Sequence, residues 1–341
     1  MLATTLASDR RDEELVRAVG NLTSPSMNLQ EKILDPSVPV TFFEMVPPEE
    51  GKPSALADTV EAVRVAASSV DAINLPEIHA ESRPGPREAR FVRRLDPRRL
   101  AVRLQDELGI EVVTNHCVVY EPDLLPWFHE TRDSFGISNL VLVGGESSSI
   151  QYPGPSVLEA AELLRAAGHT RALGGITIPS RMTEAERIRR KKAAGLDFFT
   201  TQVLFDANDI VWLIQRLNGL EVRVFLSFAP VSDPRDLQFL RWLGADIPPD
   251  LDRFLLREGA SAAAPGLSDA GRQAAQALCL ERSMDLAQRI LMEVFDNLPP
   301  DPPALGLNVE HINRRNFRPA VQMLERLGDL YSSLVAAHAR V

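Results

Sequence analysis

The residue of this sequence that is best placed to do chemistry is Glu44, because it stands at the end of an apolar strand. Residues 40–43 are β-branched or aromatic, which is typical of a buried strand, and Pro47 and Pro48 end that strand. Burial raises the pKa of a carboxyl group, so such a glutamate can stay protonated near neutral pH and act as a general acid. The alternative is an ordinary surface glutamate just beyond a strand end.

Polar side chains also stand at the carboxyl ends of the other predicted strands. Because the carboxyl ends of parallel strands meet at one end of a barrel, we expect these side chains to form one site. Two carboxylates and a carboxamide from different strands suit a polar heterocycle, since an amide can both donate to and accept from a pterin-like or nucleobase edge. The residues at these ends are Asn74, Asn115, His116, Glu146, Thr177, Gln202, Ser227, Asn308 and Glu310.

The histidines and cysteines do not indicate a metal site or a thiol enzyme. The six histidines show no ligand spacing, and two cysteines are too few for a disulfide framework or a Cys-based zinc site. Cys117 follows His116 and could be a nucleophile, but a cysteine at a strand end more often fills the core. No Gly-x-Ser-x-Gly motif is present. We therefore expect no metal.

The elements that must position these residues are strands and helices in strict alternation. Predicted strands cover about residues 38–44, 70–75, 111–115, 139–143, 172–178, 197–202, 222–228 and 305–309, with helices between them. About eight such units in roughly 300 residues favour a (β/α)8 barrel of the TIM type. An open doubly wound sheet also alternates, but no Gly-x-Gly-x-x-Gly follows any strand, which counts against a Rossmann domain.

Composition limits the class of protein and the domain organisation. Residues 1–37 are predicted to be an N-terminal arm with a short helix around 13–19, and residues 38–341 a single barrel with a flexible loop at 259–266. The net charge of −10 argues against a nucleic-acid partner. No apolar run approaches the roughly 20 residues of a membrane span, and the N-terminus lacks the order of a signal peptide. A cytoplasmic enzyme or binding protein fits best.

Several motifs, in order along residues 40–313, resemble those of the methylenetetrahydrofolate reductase family. Residues 43–48 read Phe-Glu-Met-Val-Pro-Pro and resemble the family's Phe-Glu-Phe-Phe-Pro-Pro. Residues 192–206, with Ala-Gly, Asp-Phe, Thr-Gln and Phe-Asp in order, resemble its Ala-Gly-Ala-Asp-…-Thr-Gln-x-Phe-Phe-Asp and are the most specific match. Weaker similarity occurs at residues 115–117, 145–146 and 229–232.

The resemblance implies a fold, a reaction and several site residues. The family fold is a (β/α)8 barrel, and its reaction adds a hydride to 5,10-methylenetetrahydrofolate and gives 5-methyltetrahydrofolate. Glu44 matches the family's general acid, which opens the imidazolidine ring and leaves a 5-iminium carbon. Glu146 matches an aspartate beside the pterin and flavin and is therefore a second predicted catalytic residue, and Gln202 matches a pterin-binding glutamine. Asn74, Asn115, His116 and Asn308 are further predicted substrate contacts.

The predicted cofactor is NADH or NADPH. Its predicted contacts are Thr177 and the pair Arg190 and Lys191, which lies where the family holds the ADP part of FAD. For the two basic residues, a solvated helix face is the alternative.

At four flavin positions this chain departs from the family. Asn74 and Leu75 replace a Thr-Tyr pair, Gly144 replaces an arginine and Thr114 replaces a histidine. A tyrosine that contacts folate near residues 307–310 is also missing. FAD is therefore doubtful, and we expect direct hydride transfer from the nicotinamide to the reduced folate. The alternatives are a reductase that uses FAD in two half-reactions and a non-catalytic folate-binding barrel, in which Glu44 and Gln202 cap loop N–H groups.

Overall fold

A computed structural model of the protein describes residues 27–80, 91–147, 149–256 and 268–338. The predicted helix around residues 13–19 and the predicted loop at 259–266 lie outside these ranges. Eight parallel strands close into one barrel in which each strand pairs with its neighbours in sequence and β8 pairs with β1. The strands are β1 (Thr41–Met45), β2 (Ala72–Leu75), β3 (Glu111–Cys117), β4 (Leu140–Val143), β5 (Leu173–Thr177), β6 (Phe198–Thr201), β7 (Arg223–Phe228) and β8 (Ala304–His311). The predicted (β/α)8 barrel is confirmed.

Helices connect the strands and cover the outside of the barrel. Local signals set several helix starts, such as the capping box of Ser156 with Glu159 and that of Asp233 with Asp236. In the described ranges the helices are α1 (Leu29–Leu34), α2 (Pro53–Ala66), α3 (Pro97–Leu108), α4 (Leu124–Asp133), α5 (Val157–Ala166), α6 (Glu184–Ala193), α7 (Asn208–Arg216), α8 (Pro234–Trp242), α9 (Leu251–Leu256), α10 (Asp269–Asp296) and α11 (Phe317–His338). None of them is long and apolar enough to cross a bilayer.

The barrel interior is filled by aromatic rings at mid-height. Phe42 stacks on Phe225 with 4.0 Å between ring centroids, and Phe198 meets both rings edge-on. Gly174 and Gly306 make room for these rings, since a Cβ at either position would lie 2.4 Å from a ring carbon. Because side chains alternate along a strand, residues two positions beyond this layer also face the barrel axis, one level nearer the carboxyl ends.

The amino ends of the strands are closed by α1 and by one buried arginine. Leu29 and Ile33 of α1 are buried in the same apolar cluster as the barrel interior. Arg223, at the start of β7, donates from Nε to the carbonyl oxygen of Ile33 at 2.9 Å, and its guanidinium also donates to carbonyl oxygens of residues 32, 35, 38 and 305. The end of the predicted N-terminal arm thus packs against the barrel.

Candidate functional site

The carboxyl ends of the strands bring most of the predicted site residues to one face. Glu44, Asn74, Asn115 and Ser227 each lie two residues beyond a side chain of the inner apolar layer, and therefore face the barrel axis. Asn308 pairs in register with both Phe42 and Ser227 and shares this orientation. Polar side chains from five neighbouring strands, β7, β8, β1, β2 and β3, thus meet above the phenylalanine layer.

Glu44 is half-buried and is held by an amide. Nδ2 of Asn74 donates to Oε2 of Glu44 at 2.9 Å. Burial, and then the charge of Glu310, raise the pKa of Glu44 well above its usual value, while a hydrogen bond from Asn308 opposes the rise. Glu44 therefore retains a proton under conditions in which a surface glutamate is ionised. This is the state that a general acid needs.

Glu310 lies beside Glu44 because β8 pairs with β1 and closes the barrel. The two glutamates are register partners on adjacent strands. Nδ2 of Asn308 donates to Oε1 of Glu310 at 3.3 Å and to Oγ of Ser227 at 3.0 Å. Burial raises the pKa of Glu310 to about 7, against a hydrogen bond from Ser227. The sequence placed Glu310 among the strand-end residues, and the predicted barrel brings β8 beside β1, but the sequence did not indicate the register that sets these two carboxyls side by side.

Three amide oxygens at this end of the barrel have no hydrogen-bond partner among the described residues. They are Oδ1 of Asn74, Asn115 and Asn308. The orientations of Asn74 and Asn308 follow from their Nδ2 groups, which donate to carboxyl and hydroxyl oxygens. All three residues are almost fully buried, and an unsatisfied buried acceptor is costly. The site is therefore suited to a ligand that presents several N–H donors.

Gln202, just beyond β6, lines a cavity of about 310 Å³ at the same end of the barrel. Its Nε2 donates to the carbonyl oxygen of Leu243 at 3.1 Å, and its Oε1 accepts from the backbone N–H of Val203 at 3.0 Å. Phe205 and Asp246 are among the other lining residues. These bonds fix the orientation of the Gln202 amide, and its predicted contact with substrate stays a prediction.

Glu146 follows β4 in a loop whose backbone lies against an aromatic ring. A Cβ on Gly145 would lie 2.2 Å from the ring of Tyr152, so only glycine allows this approach. The ring hydroxyl of Tyr152 accepts from the backbone N–H of Ser147 at 3.2 Å. Glu146 is half-buried at this position. Its predicted catalytic role stays a prediction.

His116 faces away from the barrel axis, because β3 continues to Cys117 and places His116 on the opposite face from Asn115. Its ring stacks on Trp127 of α4 with 3.6 Å between centroids. Its Nδ1 lies 3.0 Å from Oε2 of Glu77. The structure therefore gives His116 a packing role in the helix layer, and leaves the predicted substrate contact untested.

A group that the sequence analysis missed lies next to His116. One potential ligand atom each from Glu77, His79 and Cys117 lie within 4.8 Å of one another, and such a group could hold a metal ion. Burial alone would raise the pKa of Glu77, but hydrogen bonds from His116 and His79 outweigh it and lower that pKa. The three residues come from the ends of two strands, which is why histidine spacing along the sequence did not reveal them.

Thr177 and Lys191, two of the three predicted cofactor contacts, are buried and form hydrogen bonds within the protein. Oγ1 of Thr177 donates to Oε1 of Glu184 at 3.0 Å, and Nζ of Lys191 donates to the carbonyl oxygen of Ile176 at 2.6 Å. Burial lowers the pKa of Lys191 to about 8, although the charge of Glu184 opposes this. Arg190, by contrast, is exposed on α6. These positions favour structural roles for Thr177 and Lys191, and the cofactor contacts stay predictions.

The glutamate pair makes stability depend on pH in a definite direction. The pKa of Glu310 is raised from 4.5 to about 7, so the folded state binds more protons than the unfolded state between these values, and stability falls as pH rises through them. We expect Glu310→Gln to remove a penalty on the order of 2 kcal/mol at pH 8, allowing for the part of the side chain that solvent reaches.

Urea unfolding at pH 5 and pH 8 tests this expectation. Buried histidines contribute equally to the free energy of unfolding of wild type and variant, so their contribution cancels in the difference between the two. The control is Glu162→Gln, on the exposed face of α5, which should not change the pH dependence. Parallel pH dependences for wild type and Glu310→Gln would contradict the expectation.

One solved structure with a similar fold is an uncharacterised protein from Clostridium thermocellum that binds two copies of 5-methyl-5,6,7,8-tetrahydrofolic acid. The TM-score is 0.64 at 18% sequence identity, and the match covers 89% of this chain and 99% of that chain. Neither a protein-family model nor a curated protein matches the sequence. At this identity the likeness shows the barrel fold that the two chains share, and membership of the reductase family stays a prediction.

Proposed function

We propose that this protein reduces 5,10-methylenetetrahydrofolate to 5-methyltetrahydrofolate with hydride from NADH or NADPH. The observation that carries the proposal is Glu44, a carboxyl that faces the barrel axis at the carboxyl ends of the strands and has a pKa raised well above its usual value. The unpaired amide oxygens of Asn74, Asn115 and Asn308 support it, because a reduced pterin presents N–H donors along its edge. The solved barrel that binds 5-methyltetrahydrofolate supports the same class of ligand.

The residues fit the acid step of this reaction. Protonated Glu44 gives its proton to N10 of the substrate, the N10–methylene bond breaks, and the 5-iminium carbon forms. The nicotinamide supplies a hydride to that carbon and leaves as the oxidised nucleotide. The Asn74 amide, which donates to Glu44 at 2.9 Å, stabilises the carboxylate that remains. Glu44 thus provides the proton, and Asn74 provides the hydrogen bond that stabilises the resulting carboxylate.

The residues at the four positions expected to contact a flavin are not suited to bind a flavin ring. Leu75 and Thr114 are fully buried on the outer face of their strands, where they face the helix layer. The Nδ2 group of Asn74 is occupied by its bond to Glu44, so only its Oδ1 is open to a ligand, and Gly144 carries no side chain. We therefore propose that hydride passes directly between the two substrates, and no step runs through a flavin.

The second candidate function is binding of 5-methyltetrahydrofolate without catalysis. It is favoured by the ligand of the similar barrel, which is a reduced folate and the product of the proposed reaction. A binding protein has no need of a protonated carboxyl at Glu44, which favours the enzyme.

Turnover without flavin is the decisive measurement. Purified protein is incubated anaerobically with methylenetetrahydrofolate and either NADH or NADPH, and nucleotide oxidation and 5-methyltetrahydrofolate are both measured. We expect colourless protein to form the two products in equal amounts. Turnover only after FAD is added would restore the flavin mechanism. No turnover under either condition, together with binding of 5-methyltetrahydrofolate, would favour the binding protein.

A further inference from the structure

Four polar side chains form a continuous row across three adjacent strands at the barrel mouth. Asn74 on β2 contacts Glu44 on β1, and Asn308 contacts Glu310 on β8. Glu44 and Glu310 are register partners, so their side chains leave neighbouring backbones on the same face. Each glutamate thus has the other as its neighbour on one side and an asparagine amide within hydrogen-bonding distance.

We propose that Glu44 and Glu310 form one carboxyl pair that holds a single proton at neutral pH, in which Glu310 returns to Glu44 the proton consumed in each turnover. The second part rests on the proposed function, whereas the first part does not. Glu310 acts through Glu44, so it is a positioning residue and a proton-exchange partner.

The surroundings of the pair disfavour the doubly ionised state. The groups on the neighbouring strands that face the carboxyls are amides and a hydroxyl, namely Asn74, Asn308 and Ser227, which cannot neutralise two negative charges. In the described part of the chain, neither glutamate forms an ion pair with a lysine or arginine. Two adjacent carboxylates without a cation repel each other strongly, and one proton relieves the repulsion.

The titratable side chain next to Glu310 in sequence, His311, does not supply a positive charge to the pair. His311 follows Glu310 in β8, faces the opposite side of the strand and meets the ring of Phe317 edge-on at 5.8 Å. Burial lowers the pKa of His311 to about 4, so it is neutral at pH 7. His311 therefore contributes no positive charge that would offset the charge of the glutamate pair.

The proton balance of the reaction requires that Glu44 be reprotonated after each turnover, and Glu310 is placed to do this. Each turnover consumes one hydride and one proton, and the proton stays on N10 of the product. Glu44 is then a carboxylate and needs a proton before the next cycle. Glu310 supplies it from the adjacent strand and is itself reprotonated by water, since its side chain is only partly buried.

The shared proton is tested without substrate, so the result does not depend on the proposed function. Infrared difference spectra between pH 5 and pH 9 are recorded for wild type, Glu44→Gln and Glu310→Gln, in the carbonyl region of protonated carboxyls. Wild type should keep one such band at pH 7 and lose it at higher pH. In each single variant the remaining carboxyl should titrate at lower pH than the wild-type pair, because its charged neighbour is gone. Absence of a protonated carboxyl at pH 7 would overturn the proposal.

The proton-return role is tested by kinetics on the same variants. Glu310→Gln should bind reduced folate like wild type, lower kcat by about tenfold, and move the alkaline limb of the kcat–pH profile to lower pH. Glu162→Gln should change none of these. An unshifted profile would overturn the role of Glu310. If wild type itself shows no turnover, the proposed function fails while the infrared result still decides whether the proton is shared.

Discussion

Replacing Glu44 by glutamine is expected to lower the rate of methylenetetrahydrofolate reduction by about 10²-fold or more, with little effect on folate binding. Glutamine keeps the shape of the side chain and still accepts from Nδ2 of Asn74, but it has no proton to give to N10. Ring opening then depends on a proton from solvent instead of one from a side chain at the site. The measurement is anaerobic steady-state kinetics with NADH and NADPH, alongside a titration with 5-methyltetrahydrofolate.

Two further variants show whether the loss of rate comes from the missing proton donor or from a change in structure. Glu162→Gln on the exposed face of α5 should retain wild-type kinetics. Glu44→Asp keeps an acid but shortens the side chain by one methylene, and should lie between wild type and Glu44→Gln. A near wild-type rate for Glu44→Gln would rule out the acid assignment. A loss of thermal stability that parallels the loss of rate would instead indicate a structural role for Glu44.

The largest expected effect on stability is at the other end of the barrel, where Arg223→Met should cost about 3–5 kcal/mol. The Arg223 side chain is almost fully buried and donates to carbonyl oxygens of α1, of the segment that follows it and of β8. Methionine fills a similar volume but leaves these buried acceptors without a donor. The free energy of unfolding, from urea denaturation, measures the loss, and protease sensitivity of residues 27–40 should rise with it.

The matched control for this change is Arg216→Met. Arg216 lies on α7 and bonds the exposed Glu186 at 3.0 Å, a surface pair worth less than about 1 kcal/mol. If Arg223→Met unfolds at the same urea concentration as Arg216→Met, the carbonyl oxygens of α1 are satisfied by water and α1 is not held by Arg223.

The sequence determined the elements of this protein and the residues at their ends. The sequence predicted apolar strands that stop at Pro47 or at Pro76 and alternate with amphipathic helices, because strand and helix periodicities are local properties of the chain. This alternation favoured the barrel over an open sheet, and the structure confirms the barrel. The same patterns placed Glu44 and Asn308 at one end, since all strands of a parallel barrel point the same way.

Only the tertiary structure decided which of these side chains meet. Side chains alternate between the two faces of a strand, and β3 continues to Cys117, so His116 faces Trp127 while Asn115 faces the barrel axis. Thr177 faces the helix layer because of the same alternation along β5. A one-residue change in strand position reverses the face of a side chain, and sequence patterns do not fix strand ends that closely. The pairing of Glu44 with Glu310 depends on the register between the first and last strands, which are far apart in sequence. That register is set by barrel closure and core packing, so it exists only in the folded protein.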